Sequence, residues 1–171
     1  MTGALYLLYF LTAVLGQFMV GHGLAVSGKV TNILSTLFYV AVTFLFYGLF
    51  KPVSNSLSLL AALLSLAGCV TMSLGLIHIT SPMSPLLFFG LFCLLIGDLI
   101  LKSSFLPRVL GVLMVLAGLG WLAYLIPGIP NVLSVVIMVG GFLAELSLCL
   151  WLLIMGVNVE GWRQLDSTAK A

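Results

Sequence analysis

The chain has 171 residues, of which 63% are apolar and 6% charged, with a formal net charge of +2 and a mean hydropathy of +1.34. Soluble domains carry about 25% charged residues, so this few charges cannot coat a water-soluble globule, and so apolar a chain cannot stay disordered. Six lysines and arginines against four acids leave no nucleic-acid footprint, and the class that survives is an all-α membrane protein made of little except spanning segments.

A spanning helix needs about 20 apolar residues, and six stretches qualify, at 4–26, 30–50, 55–78, 85–102, 107–126 and 133–157. They are too long for barrel strands and lack an alternating pattern, so helices are expected. Proline breaks helix interiors and is tolerated at helix starts. Pro52, Pro82, Pro127 and Pro130 fall between the stretches, Pro85 and Pro107 open one each, and none lies in a stretch's interior. Short connections imply antiparallel neighbours, hence an up-and-down six-helix bundle over residues 1–159 with a short polar tail at 160–171.

The first stretch has no Lys or Arg ahead of it and is long for a secretion signal. It is therefore expected to remain as a spanning helix, although Ala25-Val26-Ser27 resembles a cleavage site. It carries Gln17 and, toward its end, His22, and is expected to turn at Ser27-Gly28-Lys29. The second stretch bears the clearest pattern. Asn32, Thr36, Tyr39, Thr43 and Tyr47 follow one another at steps of four, three, four and four. They share one helix face, and that face must meet protein or water rather than lipid. It serves either as hydrogen-bonding glue or as the lining of a binding cavity.

The third stretch ends at His78. With His22 it forms a pair at one depth, flanked by Gly21, Gly23 and Gly75, which could ligate a haem or a metal. Interfacial histidines are also ordinary helix ends, and nothing else in the chain requires a cofactor. In the fourth stretch Asp98 precedes Lys102 by four residues, the spacing of a helical ion pair. Gly90 and Gly97 there, and Gly111 and Gly118 in the fifth, permit close helix approach.

The sixth stretch holds Glu145 near the middle of the span, with no basic residue within a turn or two. An isolated carboxylate at that depth is costly, so a protonatable acid facing the bundle interior is expected, with Gly141 and Ser134 on its face. Glu145 is the first candidate for catalysis or binding, and Asp98 is a second acid. Gln17 and the Asn32 stripe are grouped with Glu145 as the outline of a central polar pocket.

Five of the six basic residues (Lys51, Lys102, Arg108, Arg163 and Lys170) lie on the side of the termini, and Lys29 lies opposite. By the positive-inside rule both termini are cytoplasmic, in the cell's inner (plasma) membrane. Trp162 in the tail reads as an interfacial anchor. Cys69, Cys93 and Cys149 sit inside apolar runs and are expected to act as small hydrophobes. The sequence has no nucleophile triad, no phosphate loop, no arginine series and no mid-span proline.

Two stretches resemble the bacterial membrane family catalogued as domain of unknown function 4386. One runs Phe88-Phe89-Gly90-Leu91-Phe92-Cys93-Leu94-Leu95-Ile96-Gly97 and continues through Pro107-Arg108 to Leu116-Ala117-Gly118-Leu119-Gly120. The other is Ala144-Glu145-Leu146-Ser147-Leu148 with Trp151-Leu152-Leu153. The resemblance implies a six-helix membrane bundle and no activity. The family often carries a histidine where this chain has Phe92, so a chemistry built on that histidine would be missing here.

Three functions remain. The first is a non-catalytic bundle, either an assembly subunit or a binder of a lipophilic molecule. The second is a small transporter or channel using Glu145 and the Asn32–Tyr47 stripe. The third is a membrane-embedded enzyme on a lipid-like substrate with Glu145 as general acid, so whether the protein is an enzyme stays open. The lipid bilayer is the expected partner. Small-residue faces (Ala67, Thr71 and Gly75; Gly111 and Gly118; Gly140, Ala144 and Ser147) suit a homo-oligomer or a larger membrane complex.

Overall fold

A computed structural model describes residues 2–76, 79 and 83–169. Every regular element among them is a helix: α1 (Thr2–Gly21), α2 (Ala25–Phe50), α3 (Asn55–Leu76), α4 (Pro85–Lys102), α5 (Arg108–Ala123), α6 (Asn131–Ile154) and α7 (Val159–Ala169). Five of them, α1 to α4 and α6, are long and apolar enough to cross a membrane, and α5 is a shorter apolar helix of 16 residues.

Local chemistry explains the helix ends. Pro85 starts α4, and the Ser84 hydroxyl caps it by accepting from Leu86 N at 3.3 Å. Pro107 and Pro130 directly precede α5 and α6. The first turn falls earlier than Ser27-Gly28-Lys29. The chain reverses at His22-Gly23-Leu24, where Gly23 takes a φ of +82° and Leu24 N donates to Met19 O at 2.9 Å. That pattern is a glycine-terminated helix end, which a side chain at Gly23 would strain. Gly28 stays inside α2 because it serves as a flat contact. A Cβ there would lie 3.0 Å from Gly16 O on α1. Lys29 is consequently a helix residue of α2 rather than a loop residue.

The polar tail is also more ordered than expected, since residues from Val159 onward form α7. Asn158 N donates to Phe105 O at 3.2 Å, and Trp162 Nε1 donates to Leu49 O at 2.9 Å. Leu49 O is one of the last-turn carbonyls of α2 that its own helix leaves without a partner. Trp162 is therefore a tether of α7 to the bundle.

Helices adjacent in sequence pack side by side, and α6 returns to pack against α1. The result is a closed sequential ring. Its α4–α5 seam is packed through glycines. A Cβ on Gly97 would lie 2.8 Å from Gly111 O, and one on Gly118 would lie 2.7 Å from Gly90 O. The two small-residue rows thus face each other across one antiparallel seam, and Gly111 and Gly118 are used within the chain.

The outer surface is apolar: Leu37, Val70, Leu116 and Val136 are each more than half exposed, while Asn32, Ser35, Thr43 and Ser65 are buried. Greasy residues outside and hydroxyls inside suit a hydrocarbon surrounding. For orientation, the end carrying Thr2, the 51–54 and 103–107 joints and the C-terminal end of α6 is called the terminal end. Lys51, Lys102, Arg108 and Arg163 are at this end, and Lys29 is near the other.

Candidate functional site

The terminal half of the ring is filled. Phe46 meets the Tyr6 ring edge-on at 5.5 Å and stacks on Phe92 at 6.4 Å, and Phe50 lies 5.8 Å from Phe105. Phe92, at the position where the resemblance anticipates a histidine, is thus a buried core ring. Ile96, Leu99, Met114 and Leu148 close the gaps between these rings with almost no exposed surface.

Beyond this plug the ring opens. A cavity of about 40 Å³ is lined by Tyr9 and Gln17 of α1, Asn32, Thr36 and Tyr39 of α2, and Cys69 of α3. A second, of about 200 Å³, shares Tyr9, Tyr39, Met72 and Phe89 with the first and adds Trp121 and Glu145. A water-sized group needs about 10–15 Å³ of such space, so the two compartments hold several. They are adjoining compartments of one hollow region, here called the chamber, with a common wall that includes the Tyr9, Tyr39 and Phe89 rings.

Glu145 sits at the boundary between plug and chamber. It lies nine residues before the end of α6, about 14 Å along the helix at 1.5 Å per residue. Its Oε2 accepts from the Tyr6 hydroxyl of α1 at 3.4 Å, and its Oε1 faces Cys93 Sγ of α4 at 3.9 Å. The Trp121 indole of α5 lies beside the carboxyl. Its buried Nε1 stays outside hydrogen-bond geometry and has no other partner. Gly141 makes room for this ring, because a Cβ there would stand 2.7 Å from it. The Tyr6 hydroxyl, the Cys93 thiol and the Trp121 ring, from three other helices, surround the carboxyl, and among the described residues no Lys, Arg or His lines its cavity. A carboxylate has about four lone-pair sites, so acceptor capacity is left for a group entering the chamber.

Sequence candidates divide by place. Gln17, Asn32, Thr36 and Tyr39 line the chamber, and Tyr39 also borders the Glu145 compartment. Thr43 does not line it. Its hydroxyl donates to Tyr39 O at 2.9 Å, and Ser65 Oγ lies 2.6 Å away, joining α2 to α3. Tyr47 lies lower still and donates to Asn55 Oδ1 at 3.1 Å. Asp98 is outside the chamber and is bound to Lys102 Nζ at 2.6 Å, with both side chains about half exposed. The two acids are therefore not assembled as a pair. His22 is exposed at the end of α1, with Nδ1 2.9 Å from Phe18 O and its ring 4.0 Å from the Phe18 ring. His78 lies outside the described residues, and among the described residues no three His, Cys, Asp or Glu side chains gather as a metal site.

Tyr6, Tyr9, Cys93 and Trp121 were not singled out by sequence. Tyr6, Tyr9, Ala13 and Gln17 do follow steps of three, four and four, the same signal that marks α2. Nothing in the sequence distinguishes Cys93 or Trp121 from their apolar neighbours.

Closed packing, a lipophilic exterior and an internal polar chamber define a helical membrane bundle. The family described as Domain of unknown function (DUF4386) matches residues 83–156, from the start of α4 to the end of α6. An uncharacterized protein of Archaeoglobus fulgidus is 31% identical over 126 residues, covering 68% of this chain and 76% of that protein. The chain belongs to the DUF4386 family. No solved structure matches it.

Proposed function

We propose that the protein is a membrane-embedded binder of a small amphiphile, whose donor-bearing head group is received by Glu145 inside the chamber. The observation that carries this reading is the carboxyl itself. It faces a cavity of about 200 Å³, is approached among the described residues by neutral donors only, and retains free acceptor sites. A primary amine or hydroxyl would complete it, and an amine would also neutralise it.

In this reading the bundle crosses the membrane six times, with α5 as the sixth span. Its 16 residues rise about 24 Å, and the turns through Ile126 extend it. Both termini then face the cytoplasm from the plasma membrane, as the positively charged terminal end favours. The aromatic plug speaks against a channel, since no polar path continues through Phe46 and Phe92. The separation of Asp98 from Glu145 speaks against a two-acid enzyme.

Thermal unfolding in mild detergent with added hexadecylamine tests the proposal. A ligand of the folded state at 100 times its Kd stabilises by about 2.7 kcal/mol. The wild type is expected to gain melting temperature, and Glu145→Gln, which keeps the shape and loses the charge, is expected to gain much less. Equal gains, or none in either protein, would remove Glu145 from the binding site.

A further inference from the structure

Between α2 and α3 the outer face of the ring carries a groove, and only a thin wall separates it from the chamber. Toward the terminal end the two helices are clasped, by Tyr47 on Asn55 at 3.1 Å and by Thr43 with Ser65 at 2.6 Å. One to two turns beyond these clasps, the outer face between them carries a groove of about 630 Å³, bordered by Leu37 and Val70 and floored by Thr36 and Cys69. Thr36, Cys69 and Leu76 belong equally to the chamber wall, and Tyr9 and Tyr39 are shared in turn with the Glu145 compartment.

The groove offers hydrocarbon rather than unmet polar groups. Thr36 Oγ1 donates to Asn32 O at 3.0 Å and Ser73 Oγ to Cys69 O at 2.8 Å, each within its own helix. Leu37 and Val70 are 61% and 59% exposed at mid-helix, where the surrounding medium is acyl chain. The groove is thus an apolar seat on the lipid side, divided from the chamber by the residues the two share, Thr36, Cys69 and Leu76.

We propose that a single-chain amphiphile reaches the chamber laterally from the bilayer through the α2–α3 gap, its hydrocarbon chain resting in the groove and its amine or hydroxyl head at Glu145. The proposal rests on the binding reading above and adds the route and the seat of the chain. A chain spanning both compartments explains why the apolar groove and the polar chamber share a wall.

The test uses the full chain in phosphatidylcholine nanodiscs, with Trp151→Phe and Trp162→Phe leaving Trp121 as reporter. The probe is octadecylamine carrying a nitroxide near its head, delivered from vesicles. Trp121 quenching is expected to saturate in this background. Val70→Phe and Leu37→Phe, which fill the groove from opposite walls, are each expected to slow its onset about tenfold. Leu116→Phe, an equal enlargement on the lipid face of α5, is expected to leave the rate unchanged. Quenching at the unaltered rate in both groove variants would overturn the lateral route while leaving the binding reading intact. Absence of saturable quenching before any groove change would overturn the binding reading, and the route with it.

Discussion

The half of the bundle around Phe46 and Phe92 and the half around Asn32 and Glu145 are built from the same ring of helices, yet one is filled and the other hollow. In the terminal half, aromatic and branched apolar side chains point inward and meet across the axis. In the other half the inward positions of α1 and α2 include Tyr9, Asn32 and Tyr39, with Gln17 at the exposed edge of the cavity. Those groups need hydrogen-bond partners that leucine cannot supply, and a buried polar group without one is costly. The comparison teaches that helix arrangement alone does not make a cavity. The change of side-chain chemistry along each helix does, and Glu145 marks where it changes.

Five substitutions sharpen this contrast. Phe46→Ala removes a ring from the plug and should cost about 3–5 kcal/mol, seen as a large drop in melting temperature in detergent. A loss under 1 kcal/mol would mean that the terminal half is not close-packed. Gly97→Val drives a side chain toward Gly111 O on the α4–α5 seam and should cost about 1–3 kcal/mol. Gly140→Val is the matched control, because no heavy atom lies within 4 Å of a Cβ there, and its melting temperature should barely move. Thr43→Val breaks the clasp with Ser65, and interhelical hydrogen bonds in membranes average about 0.6 kcal/mol. Asp98→Asn removes a half-exposed ion pair and should cost no more than about 0.5 kcal/mol. A loss above 2 kcal/mol there would give Asp98 a role that its contacts do not indicate.

Much of the architecture was legible from residues alone. Apolar runs punctuated by prolines locate the helices, and the α2 polar stripe identifies the face that turns inward. The stripe could not reveal that it divides, with Asn32, Thr36 and Tyr39 lining the chamber while Thr43 and Tyr47 clasp α3. That division depends on where Ser65 and Asn55 stand on another helix. Glu145 reads as isolated because its nearest donors, Tyr6 and Cys93, are 139 and 52 residues away in sequence. The turn at Gly23 was missed because several glycines cluster there, and only packing shows that Gly28 is needed inside a helix. The order of α7 depends on a tertiary bond from Trp162 to Leu49 O, which a composition argument cannot supply.

The chain carries its own reporters of the central contrast. Cys69 lines the chamber, whereas Cys149 is fully buried against Gly3 O at 3.8 Å in the packed terminal half. Mass-spectrometric timing of their modification by a small neutral thiol reagent in nanodiscs measures hollow against filled directly. Cys69 should be modified well before Cys149, and hexadecylamine should protect Cys69 in the wild type but not in Glu145→Gln. Modification of Cys149 as fast as Cys69, or no protection by the amine, would contradict the account of a hollow half that receives an amphiphile at Glu145.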